Sequence, residues 1–282
     1  MPKVTGVIVA YKRPDVLKRS LESMYDQILR PDRIIVVDNS PDNAVGDMVR
    51  KSFPSVEYRH FPENIGSEGG YHEGIKLAFD GTSSIWLLDD DCAADKDALG
   101  ELIKWAGDLS KSKKVGAVRS AREWDAARSV PFLEIEDLIA WRGALILPDA
   151  VREIGFPEKE LFLYAGDIEY GIRMREKGFG IYLIYSSRIY SLESSSKITG
   201  GQGLFKADSY AQPFRVYYSY RNELWVYKKY KKYRKMAKLI FHGLKNIIFC
   251  VFKGDLGGAT ATAKGICHGA SGRIGRSKEY AC

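Results

Sequence analysis

The chain has 282 residues, of which 45% are apolar, 12% aromatic and 28% charged. That length suits one large α/β domain or one domain with an extension, and the aromatic and branched content excludes wholesale disorder. The formal charge of +7 is unevenly spread: residues 1–214 carry −5, residues 215–253 carry +10 and residues 254–282 carry +2. The basic character, which on its total would suggest nucleic acid, therefore belongs to one segment. The four cysteines, Cys92, Cys250, Cys267 and Cys282, show neither CxxC pairing nor a histidine at metal-ligand spacing, which argues against a zinc site or a disulfide framework and for reduced thiols in a cytosolic protein. No apolar run approaches the roughly 18–20 residues of a membrane span, and Met1–Tyr11 reads as a strand, too short for a signal sequence. The expectation is a chain that is neither secreted nor membrane-spanning.

Apolar runs alternate with helical patterns through the first half. Val4–Ala10 reads as a buried strand, and Pro14 opens a helix over Val16–Ile28 with Leu17, Leu21 and Met24 on one face. Strands follow at Ile34–Val37, Val56–His60, Ile85–Leu88 and Val115–Val118, with helices at Glu68–Phe79 and Lys96–Leu109. This alternation predicts βαβ units and a mostly parallel sheet, in which ligands bind beyond the carboxyl ends of the strands. Later, Trp141–Leu147 reads as a strand, Asp149–Ile154 and Asp167–Lys177 as helices and Gly180–Ser186 as a strand. Ser195–Gly203 is a Gly/Ser-rich lid candidate, Tyr217–Lys253 a long aromatic, basic helical region, and the tail from Gly254 is weakly specified. The expected domains are an α/β one over 1–214 and a basic, aromatic helical extension over 215–282.

The polar residues that end strands carry the chemistry. Asp89, Asp90 and Asp91 close an apolar strand, where like charges raise one another's pKa unless a cation neutralises them, and a hard divalent ion is the natural partner. Alternation on an extended segment would point Asp89 and Asp91 to one ligand and Asp90 elsewhere; the plain alternative is an acidic turn with Asp95 capping the next helix. Asp38-Asn39 ends the second strand and suits the edge of a base or an Asx-turn. Asn64–Gly70 precedes a helix and could bring backbone N–H groups to a phosphate, or be an ordinary turn; it matches neither a Walker loop nor a dinucleotide fingerprint. Asp167 and Glu169 begin a helix, where a carboxylate is expected to have a lowered pKa and to accept a proton from a substrate hydroxyl. The alternative is an N-cap with a surface pair between Glu169 and Arg173.

Seven segments stand in a telling order: 9–14 (VAYKRP), 36–40 (VVDNS), 64–70 (NIGSEGG), 87–91 (LLDDD), 142–144 (RGA), 166–173 (GDIEYGIR) and 217–222 (YYSYRN). In that order and spacing the chain resembles the inverting family 2 glycosyltransferases of GT-A fold over roughly residues 3–225, most of all the galactofuranosyl- and rhamnosyltransferase branches. The resemblance implies a Rossmann-like α/β fold. Ala10, Tyr11, Arg13 and Asp38 would line a nucleotide pocket, with Asn64 and Gly66 near the ribose and diphosphate. Asp89–Asp91 would be the DxD element, with Asp89 and Asp91 toward Mn²⁺ or Mg²⁺ and Asp89 and Asp90 toward the nucleotide. Asp167 stands where the family's general base does, and Trp141, Arg142, Gly143 and Glu169 would face the acceptor. Two departures stand out: Gly166 replaces the acidic residue that usually precedes the base, and Tyr190-Ser191 replaces a metal-binding histidine, leaving Glu193, diphosphate oxygens or water to complete the metal shell. His72 suits either a donor contact or packing.

In the basic segment Val226, Tyr230, Tyr233, Ala237, Ile240, Leu244, Ile247 and Val251 recur at alternating intervals of four and three, as one continuous helical stripe flanked by lysines. Such a helix can lie on an anionic bilayer through residues 226–252, or pack on the catalytic domain or a partner subunit. The function expected is transfer of a sugar from a nucleotide-diphospho-sugar, UDP-galactofuranose or dTDP-rhamnose, to a lipid-linked or polysaccharide acceptor at the cytoplasmic membrane face. No nucleic-acid partner is expected, and homo-oligomerisation is left open. A sugar nucleotidyltransferase and a non-enzymatic membrane-surface protein are the rivals.

Overall fold

The structure, a computed structural model, describes residues 2–123, 125, 129–193 and 212–280. The lid candidate Ser195–Gly203 lies outside the described residues. The chain divides into two compact units, Met1–Glu158 with Asp167–Ser194 and Lys159–Gly166 with Ser195–Cys282.

Among the described residues the first unit is built on a sheet of nine strands: β1 (Val4–Ala10), β2 (Arg33–Asp38), β3 (Glu57–His60), β4 (Ser84–Asp89), β5 (Cys92–Ala94), β6 (Val115–Ala121), β7 (Phe132–Ile135), β8 (Ala144–Ile146) and β9 (Gly180–Ser191). Their order is β3-β2-β1-β4-β8-β6-β9-β5, with β7 pairing to β9. Parallel pairing joins β1 to β2 and β4, β2 to β3 and β6 to β9, whereas β8 opposes β4 and β6, and β5 and β7 oppose β9. The sheet is thus the expected mostly parallel one, crossed by antiparallel strands that periodicity did not foretell; β5, β7 and the helix α2 (Ala44–Ser52) are short and were not read from the sequence. Gly143 and Ala140 both have positive φ, which confines the expected strand over 141–147 to Ala144–Ile146.

Alternation along the strands feeds two cores. Val4, Ile8, Val36, Trp86, Leu88 and Leu145 face one layer, packed by Leu17, Leu21 and Met24 of α1 (Pro14–Tyr25), by Val45 and Val49 of α2, and by Leu99 and Leu102 of α4 (Ala98–Ser110). Val7, Ile35, Val37, Ile85, Leu87 and Ile146 face the other, under Tyr71 and Ile75 of α3 (Gly66–Ala78), Val151 of α5 (Pro148–Ile154) and Tyr170 and Met174 of α6 (Gly166–Glu176). Close approach decides the small residues here. A Cβ on Gly70 would lie 2.4 Å from Val9 Cγ1, and one on Gly74 would lie 2.5 Å from Val7 Cγ1, so the glycines of α3 let that helix sit directly on β1.

In the second unit the expected single helix over 217–253 is two, α7 (Pro213–Lys229) and α8 (Tyr233–Phe252). The chain breaks at Lys231, which takes a φ of 53°, so the eight-residue stripe is not one face: Val226 is buried while Tyr233, Leu244 and Val251 are exposed. The tail, expected to be weakly specified, forms α9 (Leu256–Ser271), capped by Asp255 accepting from Gly258 N–H at 2.8 Å and ended by Gly272 in the left-handed region. Its small residues explain the helix. A Cβ on Gly269 would meet the Arg221 carbonyl at 2.5 Å, so α9 packs backbone-close on α7 and finds in tertiary contact what propensity does not supply. The Arg221-Asn222 pair is buried: Asn222 Nδ2 donates to the Leu161 and Tyr164 carbonyls at 2.7 and 3.2 Å and to that of Leu163, and Arg221 donates to the carbonyls of Leu161 and Gly275 at 3.1 and 2.6 Å. These bonds hold a segment in which Phe162, Tyr164 and Ala165 all have positive φ.

Gly171 of α6 shows how closely that helix is seated in the first unit, because a Cβ there would stand 1.9 Å from the backbone carbonyl of Asp137. A main-chain atom cannot swing aside as a side chain does. Gly171→Ala is expected to lower unfolding stability by about 2 kcal/mol or more, the cost of overpacking, read by urea denaturation at neutral pH; an unchanged midpoint would contradict this seating.

Candidate active site

Six chain segments converge beyond the carboxyl ends of β1, β2 and β4, where a doubly wound sheet places its ligands. At the end of β1 the main chain turns through Lys12, whose φ is 58° and whose N–H donates to Ser40 Oγ at 2.8 Å. Tyr11 N–H donates to Asp90 Oδ2 at 3.1 Å, and Arg13 pairs with Asp90, with Asp91 at 3.3 Å and with Glu193 at 2.8 Å. At the end of β2, Asp38 is wholly buried and takes the Tyr58 hydroxyl at 2.6 Å and Ser40 N–H at 2.9 Å. Each of its carboxylate oxygens thus has one partner within the protein. Asn39 donates through Nδ2 to the Gly66 carbonyl at 2.9 Å while its Oδ1, also buried, has no partner. Asn64 Oδ1 receives Gly66 N–H at 2.8 Å, and Gly66 takes a φ of 76°, which favours glycine there.

The end of β4 holds the three carboxylates. Asp89 and Asp91 face one guanidinium, Arg142, whose Nε donates to Asp89 Oδ2 at 3.1 Å and whose Nη2 donates to Asp91 Oδ1 at 3.0 Å. Asp90 points the other way, to Tyr11 and Arg13, as alternation along an extended segment predicts. Asp89 also receives the Tyr71 hydroxyl. Tyr71 stacks on Trp141 with ring centroids 5.0 Å apart, and Trp141 Nε1 donates to buried Glu68 at 3.0 Å. Gly143 N–H donates to the Leu87 carbonyl at 2.9 Å, which fixes Arg142 beside the strand end. Oxygen donors of Asp89 and Asp91 and the sulfur of Cys92 lie within 4.8 Å of one another. Two carboxylates at i and i+2 suit a hard divalent cation; the thiol does not, since burial and then the neighbouring Asp89 charge push Cys92 well above the usual thiol range. His72 packs: its Nδ1 lies 2.7 Å from the Pro157 carbonyl and its ring meets Phe156 edge-on.

Asp167, in the first turn of α6, departs from the expected lowered pKa. Burial pushes it up to about 6; the Ile168 N–H opposes this and the Asp89 charge adds to it. Loss of water outweighs the favourable helix end. Burial likewise raises Asp90 to about 7 in spite of Arg13 and the Tyr11 N–H, with Asp91 and Asp89 reinforcing the rise. Glu169, expected toward an acceptor, is instead completely buried, its carboxylate 2.8 Å from Arg173 Nη2, and Arg173 also donates to the Ile154 and Phe156 carbonyls. The i,i+4 pair is thus internal and seats α6.

Comparison with known proteins bears on what this arrangement is. Residues 5–124 match the family described as glycosyl transferase family 2. Galactofuranosyltransferase GlfT1 of Mycolicibacterium smegmatis is 27% identical, with 65% of this chain and 69% of that protein covered. Its counterpart from Mycobacterium tuberculosis is also 27% identical, over 62% and 65% of the two chains. The family match thus places a family 2 glycosyl transferase segment within the chain, over somewhat less than half of its length. Among solved structures it superposes on the mannosyltransferase PcManGT from Pyrobaculum calidifontis, in complex with GDP-Man and Mn²⁺, with a TM-score of 0.62 at 15% identity, covering 96% of this chain and 76% of that one. GalNAc-T7, in a structure with UDP, GalNAc and Mn²⁺, gives a TM-score of 0.58 at 13% identity, covering 80% and 48%. Both likenesses are of GT-A fold.

Three residues of this site were not singled out from the sequence: Tyr71 and Glu68, which tie Asp89 and Trp141 together, and Arg119. Arg119 is buried on β6, 3.5 Å from Asp125; burial lowers its pKa to about 10, and among the charges that act on it is Asp167. A signal was present in its place: Arg119 directly follows the strand read over Val115–Val118, as other site residues follow theirs. The raised Asp90 sets a testable sign. Between the ordinary carboxylate pKa and about 7, the folded state keeps a proton that the unfolded state has released, so this group makes folding less favourable as pH rises through that window. Asp90→Asn is therefore expected to flatten the fall of the metal-free protein's melting temperature between pH 5 and pH 8, relative to wild type. A steeper fall in the variant would contradict the assignment.

Proposed function

We propose that the chain transfers a sugar, with inversion, from a nucleotide-diphospho-sugar to a hydroxyl of a lipid-linked or polysaccharide acceptor in cell-surface glycan synthesis, as a metal-dependent enzyme working at the cytoplasmic face of an anionic membrane. UDP-galactofuranose is the leading donor, supported by the galactofuranosyltransferase relatives. The chain spans about two thirds of their length. The observation that carries the reading is one cluster: Asp167 at the start of α6 lies within electrostatic reach of Asp89, and Asp89 shares Arg142 with Asp91.

In this reading Ala10, Tyr11 and Arg13, with Asp38, Asn64 and Gly66, form the nucleotide end, and Asp90 anchors the Tyr11–Arg13 loop from beneath. Asp89 and Asp91 would hold Mn²⁺ or Mg²⁺, a role supported by the Mn²⁺ in two structural neighbours. The cation, when bound, neutralises charge on the departing diphosphate. Asp167 takes the acceptor's hydroxyl proton; the acceptor oxygen forms its bond to the anomeric carbon, the bond from that carbon to the diphosphate oxygen breaks, and the electron pair leaves with the diphosphate. Trp141, Arg142 and Gly143 border the acceptor side. Glu169, held by Arg173, keeps the first turn of α6 in place.

A base buried to a pKa of about 6 is still mostly ionised at neutral pH. The ratio kcat/KM is expected to fall as pH drops through about 6, as Asp167 becomes protonated. A cation on Asp89 removes part of the rise and moves that limb to lower pH, so the limb should shift with metal concentration. Asp167→Asn should reduce kcat by about a thousandfold, within the range of general-base catalysis, while leaving donor affinity unchanged by calorimetry. Equal loss of donor binding and turnover would overturn the assignment of Asp167 as base.

A further inference from the structure

The structure assigns membrane docking to one outward ridge of the second unit: Phe241, Leu244, Ile248, Val251 and Phe252 of α8, continued by Leu256 at the start of α9, seated at the headgroup–acyl boundary of an anionic bilayer. This rests on the membrane placement proposed above and gives it a face. Phe241 is 56% exposed, Leu244 53%, Ile248 70%, Phe252 85% and Leu256 68%. Intervals of three and four put the α8 members on one side of the helix. The opposite side is already used. Gly243 and Cys250 are buried, and a Cβ on Gly243 would stand 2.5 Å from Ile266 Cδ1 of α9 and 3.1 Å from the Tyr220 ring of α7. The exposed ridge is thus what remains after α8 has packed on its neighbours. It also differs from the stripe read in the sequence, whose Val226 turns into the core and whose Ile240 and Ile247 are half-buried.

Charge selects the occupant. No acidic residue lies between Glu223 and Asp255, while Arg234, Lys238 and Lys245 flank one edge of the ridge, about 20–60° round the helix from Phe241. Lys245 Nζ sits 4.2 Å from the Phe241 ring centroid, so cation and apolar ridge form one continuous surface. A second copy of the chain would bring cations against cations. A bilayer with anionic headgroups meets both features, apolar ridge below and cations at headgroup level. Among the described residues no helix is long and apolar enough to cross a membrane, and α8 itself carries Arg234, Lys235, Lys238 and Lys245, so the helix lies along the surface.

The test uses the full chain in co-sedimentation with phosphatidylglycerol vesicles and with phosphatidylcholine vesicles. Wild type should bind the anionic vesicles, and Ile248→Glu with Phe252→Glu should weaken that binding by about tenfold or more, since each buried apolar side chain contributes at least that factor. The melting temperature and transfer to a soluble acceptor should be unchanged, because both side chains already face water. Lys238→Gln with Lys245→Gln should weaken binding less and reduce its dependence on salt. If wild type binds and the glutamate variant binds equally well, another face docks and the ridge assignment is wrong while the membrane placement stands. If wild type binds neither vesicle, both fall, and a wild-type dimer made monomeric by the glutamate variant would show the ridge to be a self-contact.

Discussion

Three carboxylates at the end of one buried strand cannot stand together without counter-charge, and the first unit is arranged around supplying it. Arg142 spans Asp89 and Asp91, and Arg13 reaches Asp90 and Asp91 from the far side. Each guanidinium is fixed by backbone that ordinary sequence would not adopt. Arg13 follows Lys12 in a left-handed conformation, and Arg142 stands between left-handed Ala140 and Gly143. Strain of this kind persists where the surroundings over-determine it, and it gathers at functional sites. The same carboxylates reach Tyr71 and, through its stack on Trp141, Glu68, so the charge cluster also organises the first turns of α3.

Burial then sorts these acids. Asp90 and Asp167 are both held above the ordinary carboxylate range by desolvation, Asp90 beside two cationic and dipolar donors and Asp167 beside the opposing Asp89 charge. A carboxylate raised to about 6 is a stronger base than a solvated one and remains available at neutral pH. The helix end alone would have made Asp167 a weaker base; the apolar seating of α6 on the sheet, by Tyr170 and Met174, reverses that.

Much of this was legible in the residues because the strong signals are local. The β1, β2 and β4 runs are continuous branched apolar segments ending in acids, and both strand and site follow from that pattern. Asp89, Asp90 and Asp91 took the directions that strand alternation dictates. What was not legible depends on distant contacts. The glycines of 64–70 suggested a phosphate cradle, yet Gly70 is small because β1 passes beneath it. Glu169 looked like a surface or acceptor residue because an i,i+4 partner says nothing about which side of a helix is covered. Arg119 ends the strand read over Val115–Val118, but a single basic residue there does not tell that it is buried beside an acid. The C-terminal half shows the same limit twice: a perfect heptad-like stripe concealed a break at Lys231, and a Gly/Ala-rich tail with poor helical propensity became a helix because α7 offers it a close-fitting surface.

The proposed role of Asp89 and Asp91 is to hold a divalent cation that completes a nucleotide-diphosphate site. Calorimetric titration of UDP into the full chain, with and without Mn²⁺, tests it most directly. Tight binding that requires Mn²⁺ and is lost in Asp91→Ala is the predicted result. Binding of equal strength without the metal, or unchanged by Asp91→Ala, would contradict it.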